Sequence, residues 1–237
     1  MAAADRRLAW DACLNLRDLG GLPTATGTTR PGAVVRGSAI GELSAAGRDA
    51  MRRHGIRTVV DIRSPDEIVE RASPYAAGAT YVHAHFALGR TMQIDQAALA
   101  GTMSAELARL AGPASGLADV IRAIARAEPG VMVHCVAGRD RTGFMVAVVL
   151  AVIGVGDDDI VADFVASDAE LEPEYRRYIA EHPGDEADLR AAIGRRAATM
   201  RSVLAALRAG YGHAGGYLRA AGVSDADIDR LGAKLLA

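Results

Sequence analysis

The sequence predicts an α/β fold, in which a mostly parallel central sheet is flanked by helices. Short apolar strand candidates alternate with helix candidates through the first two thirds of the chain, and this alternation is typical of layered α/β domains. One candidate, at residues 131–134, is almost wholly apolar, which is typical of a strand buried on both faces of a parallel sheet. The last third of the chain carries helical patterns only.

The predicted strands are short and spaced along the first two thirds of the chain. Turn clusters rich in glycine and proline, at residues 20–23 and 26–32, precede the first of them. The strand candidates occupy residues 33–36, 58–62, 80–86 and 131–134.

Helix candidates separate the strands and continue to the end of the chain. Ser44 and Ser224 are placed to cap two of these helices. We expect a single domain over residues 1–237, with an α/β core over residues 1–156 and a helical part, residues 157–237, packed on it. The helix candidates are residues 44–54, 116–127, 142–153, 157–167, 173–181, 186–209 and 224–236.

Composition and charge exclude several classes of protein. The chain has 237 residues, of which 50% are hydrophobic and 24% charged, so a disordered or collagen-like chain is excluded. Its 29 acidic residues nearly balance its 27 basic ones, and the net charge of -2 argues against a nucleic-acid-binding protein with a basic surface. Lys234 is the only lysine, so almost every cationic side chain is a planar guanidinium that can bind an anion through two hydrogen bonds.

The cysteine count and the apolar runs place further limits on the protein. Cys13 and Cys135 are its only cysteines, which are too few for a disulfide scaffold or a four-thiolate zinc site. The first residues carry no secretory signal, and the longest apolar run, residues 144–155, is too short to cross a bilayer. We therefore expect a cytoplasmic protein with no stable membrane insertion.

One loop carries the clearest chemical signal in the chain. Residues 134–143 read HCVAGRDRTG and lie between the apolar strand candidate and a long apolar helix candidate. A loop that ends at a helix N-terminus presents unpaired backbone N–H groups and the positive end of the helix dipole, and this arrangement binds phosphate. The GxxxxGKS or GxxxxGKT pattern of ATP-binding loops is absent from it, which indicates a different kind of phosphate loop.

The residue types in this loop predict attack on phosphorus. Cys135 lies at the strand-to-loop junction, where the helix terminus favours a thiolate, and a thiolate there is a nucleophile. Arg141 can bind two phosphoryl oxygens at once and stabilise their charge in the transition state. The Thr142 hydroxyl can donate to the sulfur when that sulfur leaves. An inert buried cysteine beside a capping turn is the alternative, but it does not explain the spacing of cysteine, arginine, threonine and two glycines.

The same segment resembles the signature of the cysteine-dependent protein tyrosine and dual-specificity phosphatases: His-Cys, five residues, Arg, Ser or Thr, Gly. The wider chain resembles a bacterial branch of that family, which includes a mycobacterial tyrosine phosphatase. This resemblance implies a tyrosine-phosphatase-like fold and catalysis without a metal or an organic cofactor. The segments that carry it outside the loop are residues 15–21, 36–38, 61–64, 163–168 and 211–236.

The resemblance also implies roles for the loop residues. In the resembled branch the aspartate of this loop, here Asp140, is the favoured general acid. The Trp-Pro-Asp loop on which many relatives keep their acid is missing, since Trp10 is the only tryptophan and Asp11 and Ala12 follow it. The flanking Arg139 and Arg141 oppose this role, since they favour the charged form of the carboxyl group. The residues expected to bind the substrate phosphate are Val136, Ala137, Gly138, Arg139, Asp140, Arg141 and Thr142.

Four residues outside the cradle are candidates for the chemistry or its support. Asp61 is the second candidate acid, because strand ends in α/β sheets face the ligand crevice, although a salt bridge to Arg63 is equally expected. Asp18 is expected to support the structure or to orient an arginine near the site. His134 is expected to position the loop through hydrogen bonds.

The predicted function is metal-independent hydrolysis of a phosphomonoester through a phospho-cysteine. The expected substrate is a phosphorylated protein, with phosphoinositides as a further class, although Arg139 stands where the resembled enzyme has a lysine associated with phosphoinositide head groups. Because only 4% of residues are aromatic, a small phosphorylated metabolite is the alternative substrate. A rhodanese-type sulfurtransferase, whose loop is shorter, and a non-catalytic phosphate-binding module, which typically loses the cysteine or the arginine, are weaker alternatives.

Two segments are long enough to fold over such a site as a lid. They are residues 87–115 and 170–200, and the family resemblance, which implies a helical pair over the pocket, favours the later one.

Overall fold

A five-stranded sheet organises the protein in the computed structural model, which describes residues 6–73, 81–88 and 116–237. The spatial order of the strands is β1-β4-β7-β5-β6, and a separate small hairpin joins β2 to β3. The strands are β1 (Arg17–Asp18), β2 (Pro23–Thr24), β3 (Gly27–Thr28), β4 (Val34–Gly37), β5 (Thr58–Asp61), β6 (Tyr81–His83) and β7 (Val131–His134).

Four of the five sheet strands are parallel, as the sequence predicts. β4, β7, β5 and β6 run in one direction, and β1 is antiparallel to β4 at the edge. The register aligns their carboxyl ends, with Gly37 opposite His134, His134 opposite Asp61, and Asp61 opposite His83. The residues that follow these four positions therefore emerge along one edge of the sheet.

Helices cover both faces of this sheet and make up the end of the chain. None of the described helices is long and apolar enough to cross a membrane. They are α1 (Ala45–Arg53), α2 (Pro65–Glu70), α3 (Leu117–Arg126), α4 (Asp140–Val152), α5 (Asp157–Glu170), α6 (Glu172–Glu181), α7 (Glu186–Tyr211), α8 (Ala214–Ala220) and α9 (Asp225–Leu235), with a 3-10 turn at Pro183–Asp185.

The strand side chains alternate between two hydrophobic clusters, one on each face of the sheet. Val34, Val60 and Val131 join the larger cluster with α3, α4 and the C-terminal helices. Val35, Val59 and Met132 join the smaller cluster with the N-terminal segment and α1. Helix α4 is buried on every side from Arg141 to Leu150, so it forms the centre of the larger cluster.

Local sequence signals explain where several helices begin. Ser44 caps α1 by accepting from the amide of Gly47, and Ser224 caps α9 by accepting from the amide of Asp227. Ser64 and Glu67 form a capping box at the start of α2, with Pro65 at its first position.

The C-terminal helices pack on the α/β core. α4 packs against α5 and α8, and α9 packs against α3. The buried Lys234 of α9 donates hydrogen bonds to the carbonyl oxygens of Ile124 and Ala127, so its ammonium group caps the C-terminal end of α3. The helices α5, α8 and α9 of the C-terminal part are thus in contact with α3 or α4 of the core.

The structure differs from the sequence prediction in several elements. α4 begins at Asp140 rather than at 142, so the loop acid lies in the first turn of the helix. Helix α2 is missing from the prediction although its capping box is readable, and so is α8, which holds two glycines. The predicted strand at 80–86 is shortened to Tyr81–His83.

Candidate active site

The predicted phosphate loop lies at the carboxyl edge of the sheet. His134 ends β7 between the ends of β4 and β5, and Cys135 follows it directly. Cys135 is buried, with 4% of its surface exposed, while Val136 beside it is 41% exposed. The loop therefore places the thiol at the base of an opening whose rim reaches solvent.

Three consecutive carbonyl groups of the loop are turned outward and held by the surrounding scaffold. Because each carbonyl accepts a hydrogen bond from outside the loop, the intervening peptide units are fixed in one orientation. The donors are the amide of Ala39 to Val136 O at 2.8 Å, Nδ2 of Asn15 to Ala137 O at 3.0 Å, and Nη2 of Arg36 to Gly138 O at 2.7 Å.

The loop amides are correspondingly free for an anion. Among the described residues, no backbone carbonyl accepts from the amides of residues 136–141. Gly138 has a φ of +67°, and a Cβ there would lie 2.2 Å from the carbonyl oxygen of Gly37, so only glycine fits this close approach. The loop and the first turn of α4 together form an anion cradle.

A buried ion network supports the cradle from behind. Asp163 on α5 accepts from Arg36 at 2.6 Å and from Arg17 at 3.2 Å, and Arg6 lies 2.9 Å away. Burial alone raises the pKa of Asp163, but the charges of Arg36, Arg17 and Arg6 outweigh it and hold that pKa well below its usual value. Arg36, which is fully buried, therefore has a permanent counter-ion while it holds the loop carbonyl.

Glu67 of α2 clamps Arg141. Nη1 and Nη2 of Arg141 donate to the two carboxylate oxygens of Glu67 at 2.7 and 2.6 Å. One of those oxygens also accepts from the amide of Ser64 at 2.7 Å. Burial raises the pKa of Glu67, but the hydrogen bonds from Arg141 and Ser64 outweigh it and the net shift is downward. Arg141 is thereby held in one orientation beside the cradle.

Asp140 is paired with its neighbour in this structure. Nε of Arg139 lies 3.2 and 3.0 Å from the two oxygens of Asp140, and its Nη2 lies 2.9 Å from one of them. Burial raises the pKa of Asp140, but Arg139, Arg196 and Arg141 outweigh burial and the net shift is downward. The Arg139 guanidinium also donates to the hydroxyl of Tyr175, so it points into the protein rather than into the cradle.

Asp61 is held in a buried salt bridge with Arg63. Nε and Nη2 of Arg63 donate to its carboxylate at 3.0 and 2.6 Å, and the hydroxyl of Tyr81 donates at 2.9 Å. Burial raises the pKa of Asp61, but hydrogen bonds from Arg63 and the charge of His134 outweigh it, so the net shift is downward. Arg63 also donates to the carbonyls of Glu67 and Arg71, which ties the salt bridge to α2.

Two further polar residues lie near Cys135 in the sequence: His134 directly precedes it, and Thr142 lies in the first turn of α4. Nδ1 of His134 donates to the carbonyl of Cys135 at 3.0 Å, which agrees with a positioning role for this histidine. Burial lowers the pKa of His134, and the charge of Asp61 opposes this effect. The buried hydroxyl of Thr142 has no hydrogen-bond partner in the described part of the chain.

Asp18 lies in a different environment from the other candidates. Its carboxylate accepts from the amides of Gly20 and Gly32, both at 2.8 Å, and contacts Nε2 of His54 at 3.1 Å. Within the described ranges its carboxylate has no hydrogen bond to an arginine. Asp18 therefore supports two turns and does not orient a catalytic side chain.

A cavity of about 490 Å³ opens beside the loop. Val136 and Ala137 form one wall, and Leu14 lies on the N-terminal side. Leu171 and Arg177, from the start of the predicted 170–200 lid, form another wall. The other predicted lid, 87–115, lies almost wholly outside the described residues. Helix α6 thus borders the cavity beside the loop.

The site shows which functional side chains sequence analysis missed. Asn15, Arg36 and Asp163 lie in segments that carry the family resemblance, but nothing in the sequence places them against the loop. Glu67 has a readable signal in the capping box, whereas Tyr175 has none beyond its place in a helix. Among the described residues, no cluster of three or more His, Cys, Asp or Glu is placed to hold a metal ion.

A thiol at the base of an anion cradle, with a clamped guanidinium beside it, is suited to displacement at phosphorus by sulfur, and this defines an α/β phosphatase that acts through cysteine. A family model described as "Tyrosine phosphatase family" matches residues 8–237, and the chain belongs to that family.

Two proteins similar to this chain are named as protein phosphatases. The chain is 30% identical to the triple specificity protein phosphatase PtpB of Mycobacterium tuberculosis, over all of both chains. It is also 30% identical to a tyrosine-protein phosphatase of Nostoc commune, over 90% of this chain and 78% of that one. The protein is therefore a phosphatase of the protein tyrosine and dual-specificity type.

Proposed function

We propose that the protein hydrolyses phosphomonoesters on proteins, without a metal ion, through a phospho-cysteine at Cys135. The observation that carries this proposal is the orientation of the loop, whose outward carbonyls leave the amides free around the buried thiol. Those amides and the positive end of α4 bind three phosphoryl oxygens and stabilise the charge on them as the transition state forms.

The first step transfers the phosphoryl group to sulfur. Sγ of Cys135 attacks phosphorus, the bond to the leaving oxygen breaks, and Asp140 gives its proton to that oxygen. Arg141, already oriented by Glu67, binds two of the equatorial oxygens. Water then attacks the phospho-cysteine, with Asp140 as the base, and releases phosphate and the cysteine sulfur. The unpaired Thr142 hydroxyl donates to that sulfur as it leaves.

Asp140 must take up a proton before it can act as the acid. In the free protein the surrounding arginines hold its pKa low. A phosphate dianion bound in the cradle adds two negative charges close by, and like charges raise the pKa of a carboxyl group. Substrate binding and protonation of Asp140 are therefore coupled in this proposal. Asp61 is less suited to the role, because it is buried and paired with both Arg63 and Tyr81.

The cavity favours a phosphorylated protein side chain as the substrate. Leu14, Val136 and Leu171 give it an apolar part that suits an aromatic or aliphatic linker between phosphate and backbone. Charged residues of its lining can contact the polypeptide around that side chain, and they are Glu42, Arg71, Glu174 and Arg177. Arg139, at the position expected to contact phosphoinositide head groups, is 4% exposed and occupied by Asp140 and Tyr175. A lipid head group or a sugar phosphate would therefore find one cationic contact fewer than the sequence predicts.

The nucleophile is tested by replacing each cysteine in turn. We expect Cys135→Ser to abolish turnover of an aryl phosphate while inorganic phosphate still binds, because the cradle amides are unchanged. Cys13→Ser is the matched control: that thiol contacts Leu14 and Ser38 and, among the described residues, makes no hydrogen bond to the loop, so full turnover is expected. Normal turnover in Cys135→Ser would overturn the proposal. A panel of phosphotyrosyl peptides, phosphoseryl peptides, phosphoinositides and sugar phosphates then ranks the substrates by kcat/KM.

A further inference from the structure

A closed cluster of buried polar groups joins the loop acid to three helices. The phenol of Tyr175, on α6, is 2% exposed. Its hydroxyl accepts from Nη1 of Arg139 at 2.8 Å and from Nη1 of Arg196, on α7, at 2.7 Å, and it donates to Asp168, on α5, at 3.1 Å. One donor and two lone pairs are all that a phenol offers, so this hydroxyl is fully used.

The ring of Tyr175 supports the same two arginines. The guanidinium carbons of Arg139 and Arg196 lie 5.7 and 5.6 Å from its centroid, within the range of cation–π contacts. Arg196 also forms an ion pair with Asp168, and Arg139 pairs with Asp140. The cluster therefore holds two positive and two negative groups around one phenol, and Asp140 is its only member assigned to the chemistry.

We propose that Arg196 and Asp168 are positioning residues that set how readily Asp140 holds its proton, and that Tyr175 is the hydrogen-bond bridge through which they hold Arg139 against it. This inference rests on the proposed role of Asp140 as the general acid. It assigns a function to α5, α6 and α7 that goes beyond covering the site: their charges regulate the protonation of the acid.

The sign of each contribution follows from charge. Positive groups near Asp140 favour its ionised form, and a negative group favours its protonated form. Burial raises the pKa of Asp140, and Arg139, Arg196 and Arg141 lower it. Several charged and titratable groups of the described residues face Asp140 or its partners. They are Arg139, Arg141 and Cys135 from the loop and α4, Glu67 from α2, Asp168 from α5, Glu172 and Tyr175 from α6, and Arg190 and Arg196 from α7.

The test measures how fast the phospho-cysteine forms as a function of pH. The burst phase with an aryl phosphate of poor leaving group reports this step. In the plot of the burst rate against pH, the fall at high pH (the basic limb) reports loss of the proton from the acid. Arg196→Gln removes a positive charge, so we expect the basic limb to move to higher pH by about 0.5–1 unit. Asp168→Asn removes a negative charge with little change of shape, so the limb is expected to move to lower pH. Arg196→Lys keeps the charge and is expected to leave the limb in place.

Tyr175→Phe tests the bridge. The ring stays, but both arginines lose their shared hydrogen bond and Arg139 is held less firmly against Asp140, so we expect the basic limb measured with the poor leaving group to move to higher pH. An unmoved limb, or an equal change with a good leaving group, which needs no acid, would contradict a bridge that acts through Asp140.

Three outcomes keep this inference separate from the proposed function. If wild-type protein forms no phospho-cysteine, the proposed function fails. If it does, and Arg196→Gln and Asp168→Asn leave the basic limb unmoved or move it in the same direction, the inference alone is overturned. If circular dichroism shows that one of these two variants folds poorly, the other is combined with Cys135→Ser. NMR then follows the carboxyl carbon of Asp140 as a function of pH in Cys135→Ser and in the double variant. An unchanged titration midpoint likewise overturns the inference.

Discussion

Glu67 has two roles at the scale of a single residue. Its carboxylate closes the capping box of α2 through the amide of Ser64, and it receives both terminal nitrogens of Arg141. The same carboxylate thus holds the start of α2 and the side chain of Arg141. Because Glu67 already fixes the orientation of this guanidinium group, binding a phosphoryl group need not order it further.

Glu67→Gln is expected to lower kcat/KM by about 10- to 100-fold, because the neutral amide cannot hold both guanidinium nitrogens and a misplaced group is a poor transition-state ligand. Steady-state kinetics with an aryl phosphate measures the effect. Glu70→Gln, on the same helix but exposed, is the control and is expected to change little. An unchanged kcat/KM in Glu67→Gln would show that the clamp is dispensable.

Asp140 and Asp61 are separated by substituting asparagine at each position. We expect Asp140→Asn to reduce turnover of a phosphate ester with a poor leaving group far more than that of an ester with a good one, as loss of a general acid does. Asp61→Asn is expected instead to lower the free energy of unfolding by about 3 kcal/mol, because it leaves the buried Arg63 without its counter-ion. Urea denaturation and paired kinetics distinguish the two effects. A leaving-group-dependent loss in Asp61→Asn would reverse the assignment.

The loop residues proposed for the chemistry can be named from the sequence, whereas the residues that hold the loop in place cannot. HCVAGRDRTG carries a local pattern in which each residue type has a chemical reason, so Cys135 and Arg141 can be named without a fold. Asn15, Arg36 and Asp163 act through contacts across more than 100 positions of the chain. Such contacts depend on how helices and strands pack, and no spacing rule in one sequence encodes them.

At the scale of elements, β4 and α5 each supply one side chain of a buried ion pair. The strand brings the buried Arg36 to the back of the loop, and the helix brings Asp163 to neutralise it. β4 therefore contains a charged residue inside an otherwise apolar core strand, a pattern that costs stability unless a partner is supplied. The pair of elements can only be understood together, because each is unfavourable without the other.

Asp163 makes stability depend on pH with a definite sign. Its pKa in the folded protein lies below its usual value of 3.8. Its contribution to stability is therefore fully present above that value and is lost as the pH falls toward the folded-state pKa. We expect Asp163→Asn to lower the free energy of unfolding at pH 7 by about 3 kcal/mol and to flatten its decline as the pH falls below 3.8.

Urea denaturation at a series of pH values checks this expectation. Asp158→Asn is the matched control on the same helix: Asp158 pairs with Arg201 at the surface, where an ion pair contributes little. An acid decline as steep in Asp163→Asn as in the wild type would contradict the role of Asp163.

The sequence predicts the longer strands and helices and misses the short ones. Continuous apolar strands and capping serines identify four of the sheet strands and most helices, because those signals are local. The two-residue strand β1 and the short helices α2 and α8 carry weaker patterns, and tertiary contacts decide them. α4 begins two residues early because the loop geometry places Asp140 in its first turn.

Across the whole molecule, arginine is distributed in a way that composition conceals. The net charge is near zero, yet buried guanidinium groups surround one loop from three directions. Arg36 lies behind it with β4, Arg141 faces α2, and Arg139 with Arg196 faces α6 and α7. Each of these arginines has a carboxylate partner, and Arg36 shares Asp163 with Arg17 and Arg6, so positive groups gather around the loop without a net positive charge on the whole protein.

The single lysine has a practical consequence of a different kind. Lys234 is 6% exposed, and its ammonium group is engaged with the end of α3. An amine-reactive reagent, or a protease that cleaves only after lysine, therefore reaches its one internal target only when α9 separates from the core. The rate of acylation or cleavage at Lys234 therefore measures how often α9 opens. The measurement needs no added label, and no other lysine contributes to the signal.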